Sequence, residues 1–313
     1  GAFASGFLLY GIALVYGALG STGYDVIPLN MVRTQFPGLL WAGVALLIAG
    51  LAFKVAAFPF HQWAPDVYTG APTVVTGFMS TAGKAGAFAG FVGFMVPIMS
   101  SGANGIEKAR IILALLAAGS MLMGNLSAIA QTNVKRMLAY SSVAHAGYLL
   151  IGLAAGNETG STGILYYLGA YLFMQLGAFA IVGILEREHG AKLDIEDYRG
   201  LGRKRPALAL IMALFMFSLV GLPPFAGFFG KYYLFMAAIR ADMVWLAIVG
   251  VISSVISAWF YLGLIVNMYF REPGDDPTVS PAVGGPSRMA LGLTVAGTLI
   301  IGFIPELILR ALR

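Results

Sequence analysis

The chain of 313 residues has no cysteine and little charge: 11% of it is charged, and only 14 residues are acidic. Without cysteine there are no disulfides, thiolate metal sites or cysteine-ligated clusters within this chain. Histidine is scarce as well, with three in total. No cluster of His, Asp and Glu has ligand spacing, no glycine-rich loop is built to cradle phosphate, and no nucleophile lies beside a base. With so few charges, a chain this long could not cover itself with a solvated surface.

What the chain has is hydrocarbon. It is 59% hydrophobic, with a mean hydropathy of +0.84. The apolar runs are continuous and about 20 residues long, the length a membrane-spanning helix needs, where a membrane β-barrel would alternate apolar and polar residues. The expected fold class is therefore all-α, a polytopic membrane protein. Nine spans are predicted, at 1–19, 38–60, 73–97, 109–130, 134–155, 162–185, 206–239, 243–270 and 289–309. The net charge of +5 sits in the loops and bears on topology, so no nucleic-acid partner is expected. The glycine-rich stretch 89–94, AGFVGF, reads as a helix-packing surface.

The seventh span far exceeds the roughly 20 residues that cross a core of about 30 Å. Its middle reads Gly221-Leu222-Pro223-Pro224-Phe225-Ala226-Gly227. Prolines there remove backbone donors and glycines loosen the chain, so this span is expected to be a broken helix. The second span ends in a similar device, Phe58-Pro59-Phe60, followed by His61-Gln62-Trp63-Ala64-Pro65-Asp66. Here His61 is expected to open a loop, with Trp63 anchored at the membrane interface and Asp66 capping a turn. Broken backbone at membrane depth is tolerated only where protein or water lines it, as in transporter ion sites.

The distribution of Lys and Arg sets the expected topology. Lys135, Arg136, Arg187, Lys192, the run Arg199 to Arg205, Arg271 and Arg288 lie on one side. Fewer lie opposite: Arg33, Lys108, Arg110, Arg240, Arg310 and Arg313. By the positive-inside rule the richer side is cytoplasmic, which puts Gly1 on the cytoplasmic side and Arg313 on the periplasmic or extracellular one. The start, Gly1-Ala2-Phe3-Ala4-Ser5, carries neither Met nor a basic segment, so a signal peptide is not expected and the chain reads as a fragment lacking its N-terminal part.

Three lysines interrupt the hydrocarbon: Lys54 in LIAGLAFKVAAF, Lys84 in FMSTAGKAGAFAGF and Lys231 in GLPPFAGFFGKYYLFM. An ammonium at mid-membrane costs at least about 2.5–3.5 kcal/mol on insertion scales. Snorkelling to the interface is the bland alternative. Against it, two of the three stand beside proline breaks, and no carboxylate lies deep in any span to pair with them. Lysine as a residue type suits proton carriage, because burial disfavours its charged form and lets it release and regain a proton; arginine stays charged. His145, in YSSVAHAGYLL, has Ser141, Ser142 and Tyr148 about one helical turn away. An imidazole among hydroxyls is either a proton relay or a satisfied intramembrane histidine. His189 lies in a charged loop and reads as solvated.

Residues 53–88, FKVAAFPFHQWAPDVYTGAPTVVTGFMSTAGKAGAF, resemble the signature of the antiporter-like membrane subunits of respiratory complex I, the proton-pumping NADH–quinone oxidoreductase. So do GNLSAIAQTNVKRMLAYSSVAHAGYLLIGL and YRGLGRKRPALALIMALFMFSLVGLPPFAGFFGKYYLF. PDVYTGAP, the lysine in STAGK and the lysine after PPFAGFFG are similar to the N-type branch of that family. The resemblance implies a fourteen-helix subunit with two inverted five-helix repeats, each holding a broken helix. Residues 1–108 would end the first repeat with three spans, 109–270 would form the second with five, and 271–313 would be a loop and a C-terminal span.

It also implies a proton path through Lys54, at the first break, then Lys84, His145 and Lys231. The family's glutamate partner of the first lysine would fall upstream of Gly1. No cofactor is expected in this chain; flavin, iron–sulfur clusters and quinone would belong to partner subunits, the other membrane subunits of the complex. A multisubunit cation/proton antiporter, which shares fold and lysines, is the competing reading. A scaffold whose lysines only make ion pairs is the third.

Overall fold

The computed structural model describes residues 1–189, 193–273 and 283–312, with side chains omitted at 187–189, 307–308 and 311–312. Lys192 and Arg313, and the side chains of Arg187 and His189, therefore lie outside the described residues. Every named element among these residues is helical. They are α1 (Ala2–Leu19), α2 (Ile27–Met31), α3 (Pro37–Lys54), α4 (Trp63–Gly70), α5 (Thr73–Phe78), α6 (Lys84–Ser100), α7 (Ile106–Ile129) and α8 (Val134–Ala155). There follow α9 (Glu158–His189), α10 (Leu201–Lys204), α11 (Pro206–Val220), α12 (Ala226–Arg240), α13 (Val244–Phe270), α14 (Gly285–Phe303) and α15 (Pro305–Leu312). Eight helical stretches among the described residues are long and apolar enough to cross a membrane. The remaining predicted span, the seventh, is the broken pair α11–α12, two 15-residue halves.

Local chemistry sets the boundaries. Proline opens α3 and α11, where its missing N–H costs nothing. The Asn133 side chain caps α8 by accepting from the Arg136 N–H at 3.1 Å, and Gly156 ends that helix in the left-handed region. One π-helical turn, Met79–Gly83, joins α5 to α6 and places Lys84 directly after it. Such turns rotate the side chains beyond them and recur at functional sites.

At the centre stands α8, buried on nearly every face, with α4, α7, α9 and α12 packed around it. The polar groups it carries inward, Ser141, Ser142 and His145, are hydrogen-bonded, as burial requires. Its approach to α7 depends on small residues: a Cβ at Gly124 would meet the Ala144 backbone N at 2.6 Å, and one at Gly147 the Ala117 carbonyl at 2.7 Å. The expected packing stretch AGFVGF behaves differently. Gly90 has open space beside it and Gly93 faces the Tyr24 ring, so the close helix contact lies at Gly124 and Gly147 instead.

The first break also departs from the sequence reading. Helix α3 stops at Lys54, four residues before Phe58, and His61 stands within the break, nearly buried, followed by the short helix α4. Trp63 donates its indole N–H to the Phe53 carbonyl at 3.0 Å and stacks on the Phe53 ring, closing the break from within. Asp66 makes no capping hydrogen bond among the described residues; it pairs with Arg136 at 2.9 Å. The Phe58 N–H, freed by the break, donates to the Ser120 hydroxyl at 2.9 Å, so a serine from α7 satisfies the interrupted backbone.

Candidate functional site

Three of the four predicted site residues converge on α8. Lys84 is 2% exposed, and its ammonium donates to the Ser142 hydroxyl at 2.6 Å and to the Ser142 carbonyl. Lys231 is 4% exposed and donates to the Val220 carbonyl at 2.7 Å and the Leu219 carbonyl at 3.1 Å. Those are the last carbonyls of α11, left without helical partners by the break and sitting at the negative end of that helix's dipole. The broken helix thus builds the lysine's site. Gly221 makes room for it: its φ is 88°, and a Cβ there would meet the Lys231 Cδ at 3.0 Å.

His145 lies between the two lysines along α8. Ser142, His145 and Tyr148 recur every three residues, which puts them on one face at intervals of about 4.5 Å along the axis. Ser142 receives Lys84, and the Tyr148 ring lies 4.5 Å from the Lys231 ammonium. His145 Nδ1 is 2.6 Å from the Tyr167 hydroxyl, and its Nε2 is 3.0 Å from the Tyr261 hydroxyl. A neutral imidazole has one donor and one acceptor, so one phenol accepts from it while the other donates to it. Tyr261 is also hydrogen-bonded to the Ser141 hydroxyl. Tyr148 accepts from Ser254 at 3.1 Å, and nearby Asn125 donates to Ser253 at 2.7 Å. This is a line of exchangeable protons inside an apolar bundle.

The sequence places hydroxyls next to His145 but picks the wrong ones. Ser142 is occupied by Lys84 and Ser141 by Tyr261, while the imidazole's partners come from α9 and α13. The only sequence signal was the presence of Tyr167 and Tyr261 inside apolar spans, where a hydroxyl needs a partner.

Lys54 stands apart. It ends α3 with its side chain exposed and with no hydrogen bond or ion pair to the described residues. No group of three or more His, Cys, Asp or Glu that could hold a metal occurs among the described residues.

Interrupted helices, a buried cation at one break and a polar line between buried lysines define a class: a multi-pass membrane protein of the antiporter-like type. The family model described as NADH:quinone oxidoreductase/Mrp antiporter, transmembrane, matches residues 1–257, and the chain belongs to that family. Among its relatives, NADH-quinone oxidoreductase subunit N of Trichlorobacter lovleyi is 47% identical over 99% of this chain and 63% of its own length. The subunit N of Rhodospirillum rubrum is 48% identical over 87% of this chain and 55% of its own. The chain thus spans less than two thirds of the length of these relatives.

A chain of respiratory complex I from Thermus thermophilus superposes with a TM-score of 0.82 at 38% identity, over 99% of this chain and 66% of that one. A chain of an archaeal membrane-bound sulfane sulfur reductase gives 0.89 at 26% identity, over 99% and 62%. One from the Mrp complex of a Dietzia species gives 0.84 at 24% identity, over 98% and 64%, a likeness of fold.

Proposed function

We propose that this chain is the proton-translocating core of an N-type membrane subunit of NADH–quinone oxidoreductase, moving protons through buried lysines and a histidine. The line Lys84–Ser142, His145 with its two tyrosines, and Tyr148–Lys231 carries this reading. A buried ammonium held by carbonyls and hydroxyls can give up its proton and keep those groups as partners for the next one. Between the lysines, His145 takes a proton on one ring nitrogen and releases one from the other, with Tyr167 and Tyr261 holding both edges in place. Neither Lys84 nor Lys231 has a carboxylate within ion-pair distance among the described residues, so each site holds its charge loosely enough to exchange it.

Lys54 belongs to the same path in this reading. Its exposed position at the end of α3 suits a lysine whose partner comes from a segment outside this sequence. The two broken elements, each tied to a lysine, support two inverted repeats with limits near 108 and 270. The energy would come from quinone reduction in partner subunits, which would hold the flavin, iron–sulfur clusters and quinone. This chain would contribute no redox centre. The membrane would be the cell's inner membrane, with the Arg199 to Arg205 side cytoplasmic.

The test is the ratio of protons taken up to NADH oxidised in inverted vesicles carrying the full-length subunit with Lys231→Ala. A lowered ratio or a parallel loss of both, in an assembled complex, supports the proposal. An unchanged ratio at an unchanged rate rejects it. Sodium-dependent exchange by the subunit without NADH-oxidising partners would favour a cation/proton antiporter instead.

A further inference from the structure

One end of α8 carries another buried cation that the lysine line does not use. Lys135, grouped with the loop cations by sequence, is 1% exposed. Its ammonium donates to the Ala71 carbonyl at 2.8 Å and lies 3.6 Å from Glu186 Oε1. The other oxygen of Glu186 accepts from the Thr73 hydroxyl. Three elements meet there: the first turn of α8, the last turns of α9, and the corner between α4 and α5. Of the pair, Lys135 is buried and Glu186 reaches outward, with 28% of its side chain exposed against 2% for Lys135.

Tyr198, in the short 3₁₀ turn Ile195–Tyr198, adds an independent observation. It is 1% exposed, and its hydroxyl has no hydrogen-bond partner among the described residues. Burial and the charges of Asp197 and Glu186 push the phenol's pKa up, so it stays a neutral donor beside the carboxylate. Among the described charges nearby, Arg136 pairs with Asp66 and Arg199 with Glu196, while Asp194 and Asp197 cap the 3₁₀ turn.

The cluster is tied to the Lys84 site by two elements. Lys135 and Ser142 lie seven residues apart on α8, about 10 Å along the axis. The last turn of α4 carries Tyr68, whose phenol faces Ser142, and Ala71, whose carbonyl accepts from Lys135, follows directly after it.

We propose that Glu186 is the proton-loading carboxylate of this chain, exchanging protons with water at this end of the bundle and passing them toward Lys84. Lys135 and Thr73 position it. In the step, hydronium transfers a proton to a Glu186 oxygen, forming an O–H bond and leaving water. That bond then breaks as the proton moves through water to the free amine of Lys84, where an N–H bond forms. The carboxylate is restored against the Lys135 ammonium, and one proton has moved with no other change. This inference rests on the proton path proposed above.

The experiment uses the full-length subunit in its assembled complex, in inverted vesicles, with Glu186→Gln, Glu186→Asp and Lys84→Ala. Glu186→Gln is expected to lower NADH-driven proton uptake about tenfold or more, against the roughly 10²–10⁴-fold that a positioned proton-transfer group typically contributes to a chemical step. Glu186→Asp keeps most of the uptake with a displaced pH profile, which a purely structural contact would not produce. Wild-type uptake and pH profile in Glu186→Gln, with uptake lost in Lys84→Ala, overturns this inference and leaves the lysine path standing. Full uptake in Lys84→Ala overturns the path itself. If Glu186→Gln does not assemble because Lys135 is left buried and unpaired, the pair Glu186→Gln/Lys135→Met removes that charge. Lost uptake in the assembled double variant supports the inference, and full uptake overturns it.

Discussion

The ammonium of Lys231 lies 4.5 Å from the centre of the Tyr148 ring, and Tyr148 is one helical turn from His145 on α8. That contact is one of those that tie the second broken helix to the most buried helix of the bundle. A cation over an aromatic face gains about 0.5–2 kcal/mol without a counter-charge. It therefore supports the ammonium without locking it, as a carboxylate would.

Lys231→Arg is the sharpest test of whether Lys231 changes protonation. Arginine could keep the carbonyl contacts but does not deprotonate. Proton uptake should fall about tenfold or more, equivalent to at least 1.4 kcal/mol on the limiting step, while the complex still assembles. Uptake measured in vesicles at matched subunit content decides it.

Gly221→Ala should damage the same site through the backbone. The left-handed conformation costs an L-residue about 1–2 kcal/mol. The added Cβ would also press on the Lys231 side chain at 3.0 Å. The expected result is a lowered thermal midpoint together with reduced uptake, read from one purified preparation.

Ser120→Ala separates stability from transport. It leaves the Phe58 N–H without its partner in the first break, at a cost of about 1–3 kcal/mol. Heat or denaturant stability should drop, while Lys84, His145 and Lys231 keep their contacts and uptake per assembled complex stays near wild type.

Tyr261→Phe removes the hydroxyl shared by His145 and Ser141. A relay predicts a several-fold loss of uptake, since the imidazole loses one of its two partners, with a net stability change of only about 1 kcal/mol. Tyr167→Phe should act in the same direction from the other ring nitrogen. Each variant is compared with wild type for uptake and for NADH oxidation.

Hydropathy and punctuation made much of this architecture legible. The interruption between α11 and α12 was readable because Gly221, Pro223 and Pro224 sit together inside one overlong apolar run. The break after Lys54 was harder. The prolines pointed to its neighbourhood, but the helix ends earlier, because Trp63 and Ser120 satisfy backbone groups that only tertiary contact brings near. Lys84, His145 and Lys231 could be picked out by their residue type in hydrocarbon, and all three are buried in the bundle. Their geometry was not readable, since Tyr167 and Tyr261 reach His145 from helices 22 and 116 residues away. Lys135 and Glu186 were hidden by position: each lies near a helix end, where sequence alone reads a solvated loop.

The most direct measurement is proton uptake by inverted vesicles carrying the full-length subunit with Lys84→Ala, recorded with NADH–quinone reductase activity in the same preparation. The account predicts a large fall in uptake, relative to electron transfer or together with it, in a fully assembled complex. Wild-type uptake and wild-type activity in that variant would contradict it.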